Sequence, residues 1–419
     1  MGGIITRVTL VFPAMLLRFF LVVFLAAAAA SAQPSARLFD QVGEMMSTLS
    51  EITGWRIRRA VPSQMLSKEK FRQFVETRMK QTSTREDLRV EELTLKMFGF
   101  VPQDFNLERE TVDLVSEQAA AFYDYNKKCL FILDSTAQGG EQRVALVHEL
   151  AHALADQQYP LGKYLRKGSP DDDGATARQA VMEGQATWLT WAYMSKRAGG
   201  KAEVPESMLA EKKQSTPSTD FPIFSREPLY LRESLVFPYD EGMRFQDAVF
   251  RKLGVKAFDE VFKHPPLTTQ QILHSESYFS AQRPVNPQLP PLVAELGKEA
   301  KRFRLLAEGS VGELDHSILL RQFVGDREGR SAASHWKGAS FKLLEHKQHK
   351  YPVLSYVSEW DSPESAKTYF ELYQRVLRGK WKKIEVATES AAEMAGSGDS
   401  GRFQIRLAGT QVLALEGLR

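Results

Sequence analysis

Two histidines four residues apart on a helix lie one above the other, so both imidazoles can reach a single ion. The chain has this spacing at Val147-His148-Glu149-Leu150-Ala151-His152. Zinc–nitrogen bonds of about 2.0–2.1 Å are typical of such sites. Glu149 is turned from His148 by roughly a quarter of a helical turn. That places it to hold a water beside the ion and to act as general base without being forced to ligate. Imidazole donors favour zinc over magnesium or calcium, and zinc brings the pKa of a bound water to about 7. The surrounding run, Glu141 to Gln158, has no glycine or proline and places Val144, Leu146, Val147, Leu150 and Leu154 around the motif, which predicts a helix.

A catalytic zinc takes three protein ligands and keeps one position open. Glu183 is the candidate for the third. It stands in Ala180-Val181-Met182-Glu183-Gly184-Gln185-Ala186-Thr187, where Ala180, Gly184 and Thr187 form a small-residue face that lets two helices approach closely. A carboxylate there is costly to bury without a cation, and a metal supplies one. Asp173 is the fallback ligand. Asp156, one turn beyond His152, is placed to accept that histidine's free N–H and fix its tautomer. An oxyanion donor is also required, and His274 is the first choice, with Tyr239 and Tyr278 as the other candidates.

The segment HELAHALADQQY at 148–159, followed by VMEGQATW around Glu183, resembles a group of uncharacterised secreted bacterial metallopeptidases of the gluzincin type. FPYDEGMRF at 237–245 and HPPLTTQQILHSESY at 264–278 are similar to later blocks of that group. The likeness spans about 121–278 and extends more loosely to His335-Trp336-Lys337-Gly338 and Tyr356 to Trp360. It implies His148, His152 and Glu183 as zinc ligands, Glu149 as catalyst and a peptide or protein substrate. Thr187 stands where thermolysin-like enzymes carry an aspartate, so the partner of His148 has to come from elsewhere.

The elements that must position these residues read as an α+β protein. A mainly helical, zincin-like metallopeptidase domain with a short antiparallel sheet is expected over 33–283. A proline-rich linker follows at 284–300, and then a small α+β domain at 301–419. Ser63 to about Gly99 reads as helical with a break at 80–84, and 121–134 as a β-hairpin. Asp171-Asp172-Asp173 precedes a second long helix from about Ala175 to Arg197. Lys201 to Pro228 reads as a long loop, and Tyr239 to Phe262 as helix. In the C-terminal part, strands are expected at 340–345, 353–360, 402–407 and 411–415, a helix from Pro363 to Gly379, and a flexible loop at 394–401.

The first 32 residues lack acidic side chains, carry Arg7 and Arg18 and run FFLVVFLAAAAASA, which predicts a signal peptide cut after Ala32 and a secreted or periplasmic protein without a stable membrane anchor. The formal charge of +3 falls by two once those arginines leave, which disfavours nucleic acid as a partner. The lone Cys129 excludes an internal disulfide. These features together predict a zinc-dependent hydrolase, with a peptidase as the first reading. A cell-wall peptide amidase and a catalytically inactive zinc-containing envelope binding protein are the alternatives.

Overall fold

The computed structural model describes residues 22–23, 40–134, 140–166, 172–210, 221–291 and 296–419. The Ala32 cleavage site and nearly all of the signal segment lie outside these residues, as does Asp171. Among the described residues no helix is long and apolar enough to cross a membrane.

The chain is α+β, helical in its first part and built on an antiparallel sheet in its last. The helical part begins with β1 (Val22–Val23), α1 (Val42–Thr53), β2 (Ser63–Leu66), α2 (Lys68–Thr82), α3 (Arg85–Phe98) and α4 (Leu107–Gln118). The hairpin β3 (Ala119–Asp124) and β4 (Cys129–Leu133) follows, then α5 (Gly140–Gln158), α6 (Leu161–Arg166), α7 (Asp172–Arg197), α8 (Glu206–Ala210) and α9 (Pro222–Arg226). It ends with α10 (Leu229–Leu253), α11 (Ala257–Lys263), α12 (Thr269–Leu273) and α13 (Ser275–Phe279).

The break expected at 80–84 is present. Thr84 caps α3 by accepting from the Asp87 N–H while Asp87 accepts from the Thr84 N–H, so two otherwise orphaned donors are satisfied. Ser63–Leu66 is a strand rather than the start of a helix, because it pairs in parallel with β4. The first sheet, ordered β1-β3-β4-β2, is therefore mixed and not purely antiparallel. The 201–228 stretch contains the short helices α8 and α9, and the helix expected from Tyr239 starts ten residues earlier, at Leu229.

The C-terminal part comprises β5 (Phe303–Gly309), α14 (Glu313–Phe323), α15 (Asp326–Ala333), β6 (Trp336–His346) and β7 (Pro352–Trp360). It continues with α16 (Pro363–Lys380), β8 (Ile384–Glu389), β9 (Glu393–Gly398), β10 (Gly401–Ala408) and β11 (Gln411–Leu418). The strands form one sheet ordered β5-β6-β7-β11-β10-β9-β8 with every pairing antiparallel. Ser362 caps α16 with Pro363 in its first turn, as expected. The 394–401 stretch is not a free loop. Its small residues let β9 pair closely, and a Cβ added at Gly396 would lie 2.0 Å from the Glu385 carbonyl oxygen.

The two parts share one hydrophobic core that runs from Met45 through Leu150 and Trp188 to Tyr369 and Ala414. Phe98 of α3 packs edge-on against Phe341 and Tyr356 of the large sheet, with ring centroids 5.5 and 5.6 Å apart. Within this core the His316 Nδ1–H donates to the Gly312 carbonyl at 2.7 Å, its Nε2 faces the Tyr356 hydroxyl, and Tyr356 and Tyr369 share a hydrogen bond of 3.1 Å. Burial pushes His316 down to about 4 from its ordinary 6.5, so it stays neutral in the fold. The unfolded chain binds a proton over that interval that the folded chain refuses, so this residue removes stability as pH falls from 6.5 toward 4. Asp315, pushed up to about 6 by its own burial, acts in the opposite sense. In His316→Gln the first contribution is gone. The melting-temperature advantage of wild type over the variant is therefore expected to shrink between pH 6.5 and 4, measured by thermal unfolding across that range.

Candidate metal centre

Three helices build the site. α5 carries His148, Glu149 and His152 on apolar supports, with Leu146, Val147, Leu150 and Leu154 all fully buried. α7 carries Glu183 and packs on α5. α10 crosses α7 at a glycine pair: a Cβ at Gly184 would lie 2.0 Å from the Gly242 carbonyl carbon, and one at Gly242 2.2 Å from the Ala180 oxygen. The close approach anticipated from Ala180 and Gly184 is thus made with α10. It sets Glu183, one residue before Gly184, and Tyr239, three before Gly242, at fixed positions relative to each other.

Glu183 Oε2 lies 3.2 Å from His148 Nε2 and 3.1 Å from His152 Nε2. One donor atom from each of the three falls within 4.8 Å of the others. Among the described residues no other group of three histidine, cysteine or acidic side chains meets that criterion. The relative exposures of His148, Glu149, His152 and Glu183 are 0, 1, 2 and 1 %.

Electrostatics follow from that burial. Glu149 is pushed up to about 8, first by desolvation and then by the negative charge of Glu183, against the opposing pull of His152. Its Oε1 is buried without a hydrogen-bond partner. Desolvation alone would raise Glu183 as well, but His152 and His148 outweigh it and hold the carboxyl well below the usual range. Burial disfavours a charged His152, yet Glu183, Glu149 and Asp156 together raise its pKa.

Asp156 is buried, but its oxygens are engaged elsewhere than at the His152 N–H expected for it. Oδ2 accepts from the Tyr123 hydroxyl at 3.0 Å, from Lys128 Nζ at 2.6 Å and from Arg59 at 3.3 Å, and Oδ1 accepts from the Leu161 N–H at 2.9 Å. It ties the end of α5 to the β3–β4 hairpin and to α6, and it acts on His152 through charge. Asp173 belongs to a different contact, where its carboxylate accepts from the Thr269 N–H and hydroxyl at the start of α12 and lies against Gly312 of the C-terminal part.

The three oxyanion candidates separate. His274 Nε2 pairs with Glu313 Oε1 at 2.8 Å, and the histidine side chain is 40 % exposed. The Tyr278 hydroxyl donates to the His264 carbonyl at 2.8 Å, and its ring packs on Phe245. Tyr239 is the one that comes to the cluster, with its buried ring centroid 5.9 Å from that of His148.

A family model described as a domain of unknown function (DUF8575) matches residues 301–419. No curated protein and no solved structure matches the chain.

Proposed function

We propose that the chain is a zinc-dependent hydrolase of the zincin type, a gluzincin-like metallopeptidase that acts on peptide bonds outside the cytoplasm. The observation that carries this reading is the convergence of His148 Nε2, His152 Nε2 and Glu183 Oε2 in a solvent-excluded cluster, with Glu149 beside it. The donor set fits zinc: two borderline imidazoles and one carboxylate, which together would neutralise and hold a divalent cation. Among the described residues three protein donors, rather than four, come together, which favours a catalytic over a purely structural site. When bound, zinc supplies Lewis-acid polarisation of a carbonyl and of water.

The remaining work falls to side chains of this chain. Glu149 takes the proton of the attacking water and returns it to the leaving amine. Glu149 Oε1 has no hydrogen-bond partner among the described residues and stands beside the cluster, which suits that task. Tyr239, held by the Gly184–Gly242 crossing, donates its phenolic O–H to the developing oxyanion. Removing that donor in Tyr239→Phe is expected to cut kcat about 10²-fold with little change in zinc content. Cleavage of a peptide library, followed by mass spectrometry, tests the overall reading. Stripping with a chelator should abolish cleavage and stoichiometric zinc should restore it, whereas cleavage indifferent to both would remove the reading.

The N-terminal sequence pattern supports secretion or a periplasmic location.

A further inference from the structure

The net charge of the chain is near neutral, but its distribution is not. The turn after α10, Arg251-Lys252-Leu253-Gly254-Val255-Lys256, is exposed throughout, with Leu253 37 % and Val255 52 % accessible. It abuts a second exposed segment, Arg56-Ile57-Arg58, in which Ile57 is 41 % accessible. The two are held side by side. A Cβ at Gly54 would sit 3.5 Å from Val255 Cγ1, the Trp55 indole N–H donates to Asp259 at 2.9 Å, and the Trp55 ring packs against Phe258 and Phe262.

The acidic groups around this surface are already engaged. Glu206 and Asp247 pair with Arg251, Glu51 with Lys196, Asp259 with Lys263, and Glu260 with His264. Arg59 is taken by Asp156. Among the described residues, four exposed cations have no acidic partner. Arg56 has none, Arg58 bonds the neutral Gln158 amide at 2.8 Å, Lys252 lies over the Phe279 ring at 3.8 Å, and Lys256 has none. Three aliphatic tips and four such cations on two adjoining segments match a surface that is apolar just below and negative at its face.

We propose that this surface docks the protein on an anionic phospholipid bilayer. Ile57, Leu253 and Val255 enter the headgroup–acyl boundary while Arg56, Arg58, Lys252 and Lys256 meet lipid phosphates and extend their aliphatic stems along the interface. The patch is rigidly coupled to the metal helix, because the Arg58 and Arg59 N–H groups both donate to Gln157 Oε1 near the end of α5, at 2.7 and 3.1 Å. Docking therefore fixes the orientation of α5 relative to the bilayer, whatever reaction the centre performs.

Vesicle co-sedimentation tests this with the processed chain beginning at Gln33, so that the N-terminal apolar run does not contribute. Phosphatidylcholine vesicles are compared with phosphatidylcholine–phosphatidylglycerol vesicles. Binding is expected on the mixed vesicles alone and should weaken as salt rises. Each of Arg56→Gln, Arg58→Gln, Lys252→Gln and Lys256→Gln is expected to weaken partitioning by about fivefold, and Ile57→Ser with Val255→Ser to leave a weaker association that salt abolishes. These side chains are exposed, so the variants should melt with wild type. Equal partitioning onto both vesicle types, no partitioning at all, or a quadruple charge variant that binds like wild type would overturn the proposal.

Discussion

Glu149→Gln is expected to lower peptide cleavage by about 10²–10⁴-fold while leaving zinc stoichiometry and fold unchanged. The amide keeps the shape of the carboxylate but cannot take a proton from water. Glu149 lies outside the three-atom cluster of His148, His152 and Glu183, so its loss should not release the metal. The substitution also removes a buried carboxylate whose proton affinity is raised by desolvation, and the variant should melt no lower than wild type in the absence of metal. Steady-state kinetics together with metal analysis separate the two roles. A fall in zinc content parallel to the fall in activity would make Glu149 a ligand rather than a base.

The second large effect concerns how the C-terminal part is fastened to the helical part. Lys380, the last residue of α16, places its ammonium 2.6 Å from Glu416 Oε2 in β11 and 3.0 Å from the Met97 carbonyl near the end of α3. Tyr373 donates to the other Glu416 oxygen at 2.6 Å. The Lys380 and Glu416 side chains are 3 and 0 % accessible, so neither charge can turn to water. Lys380→Met is expected to cost about 3–5 kcal/mol, because Glu416 is left buried and uncompensated and the Met97 carbonyl loses its donor. Adding Glu416→Gln should recover part of that loss, since the amide carries no charge to strand. Denaturant unfolding of the single and double variants measures both numbers. A single variant within about 0.5 kcal/mol of wild type would mean that the pair contributes nothing to the junction.

Because the two parts share a core, removal of 301–419 would expose Phe98 and strip the contact that Gly312 makes with Asp173 at the start of α7. The region matched by a family of unknown function thereby acquires a structural role, that of supporting the start of the helix that carries Glu183.

What the sequence revealed follows from the range of the interactions involved. His148, Glu149 and His152 were legible because four-residue helical spacing is a local rule, and Glu183 because a carboxylate among Ala180, Gly184 and Thr187 is conspicuous on a buried helix. The choice among His274, Tyr278 and Tyr239 was not legible. It depends on the crossing of α7 and α10 at Gly184 and Gly242, about sixty residues apart in sequence, and on Glu313 reaching back to His274 from the C-terminal part. Asp156 was read as the acceptor of the His152 N–H, but its partners come from a hairpin and from Arg59, which no periodicity places beside it.

The same distinction holds for the fold. The β3–β4 hairpin and α16 follow from a local turn and a cap, and both were anticipated. Ser63–Leu66 looked like the lead-in to a helix and becomes a strand only because β4 is there to pair with it. β5, β8 and β9 escaped notice for a similar reason, since their stability lies in neighbours distant in sequence rather than in their own apolar pattern.

X-ray absorption at the zinc edge of the purified, zinc-loaded chain tests the metal centre most directly. The expected spectrum has two imidazole nitrogens and carboxylate and solvent oxygens at about 2.0–2.2 Å, with no sulfur, and Glu183→Ala should lose an oxygen scatterer along with affinity. Failure to retain zinc, a shell closed by four protein ligands, or a spectrum unchanged in Glu183→Ala would contradict it.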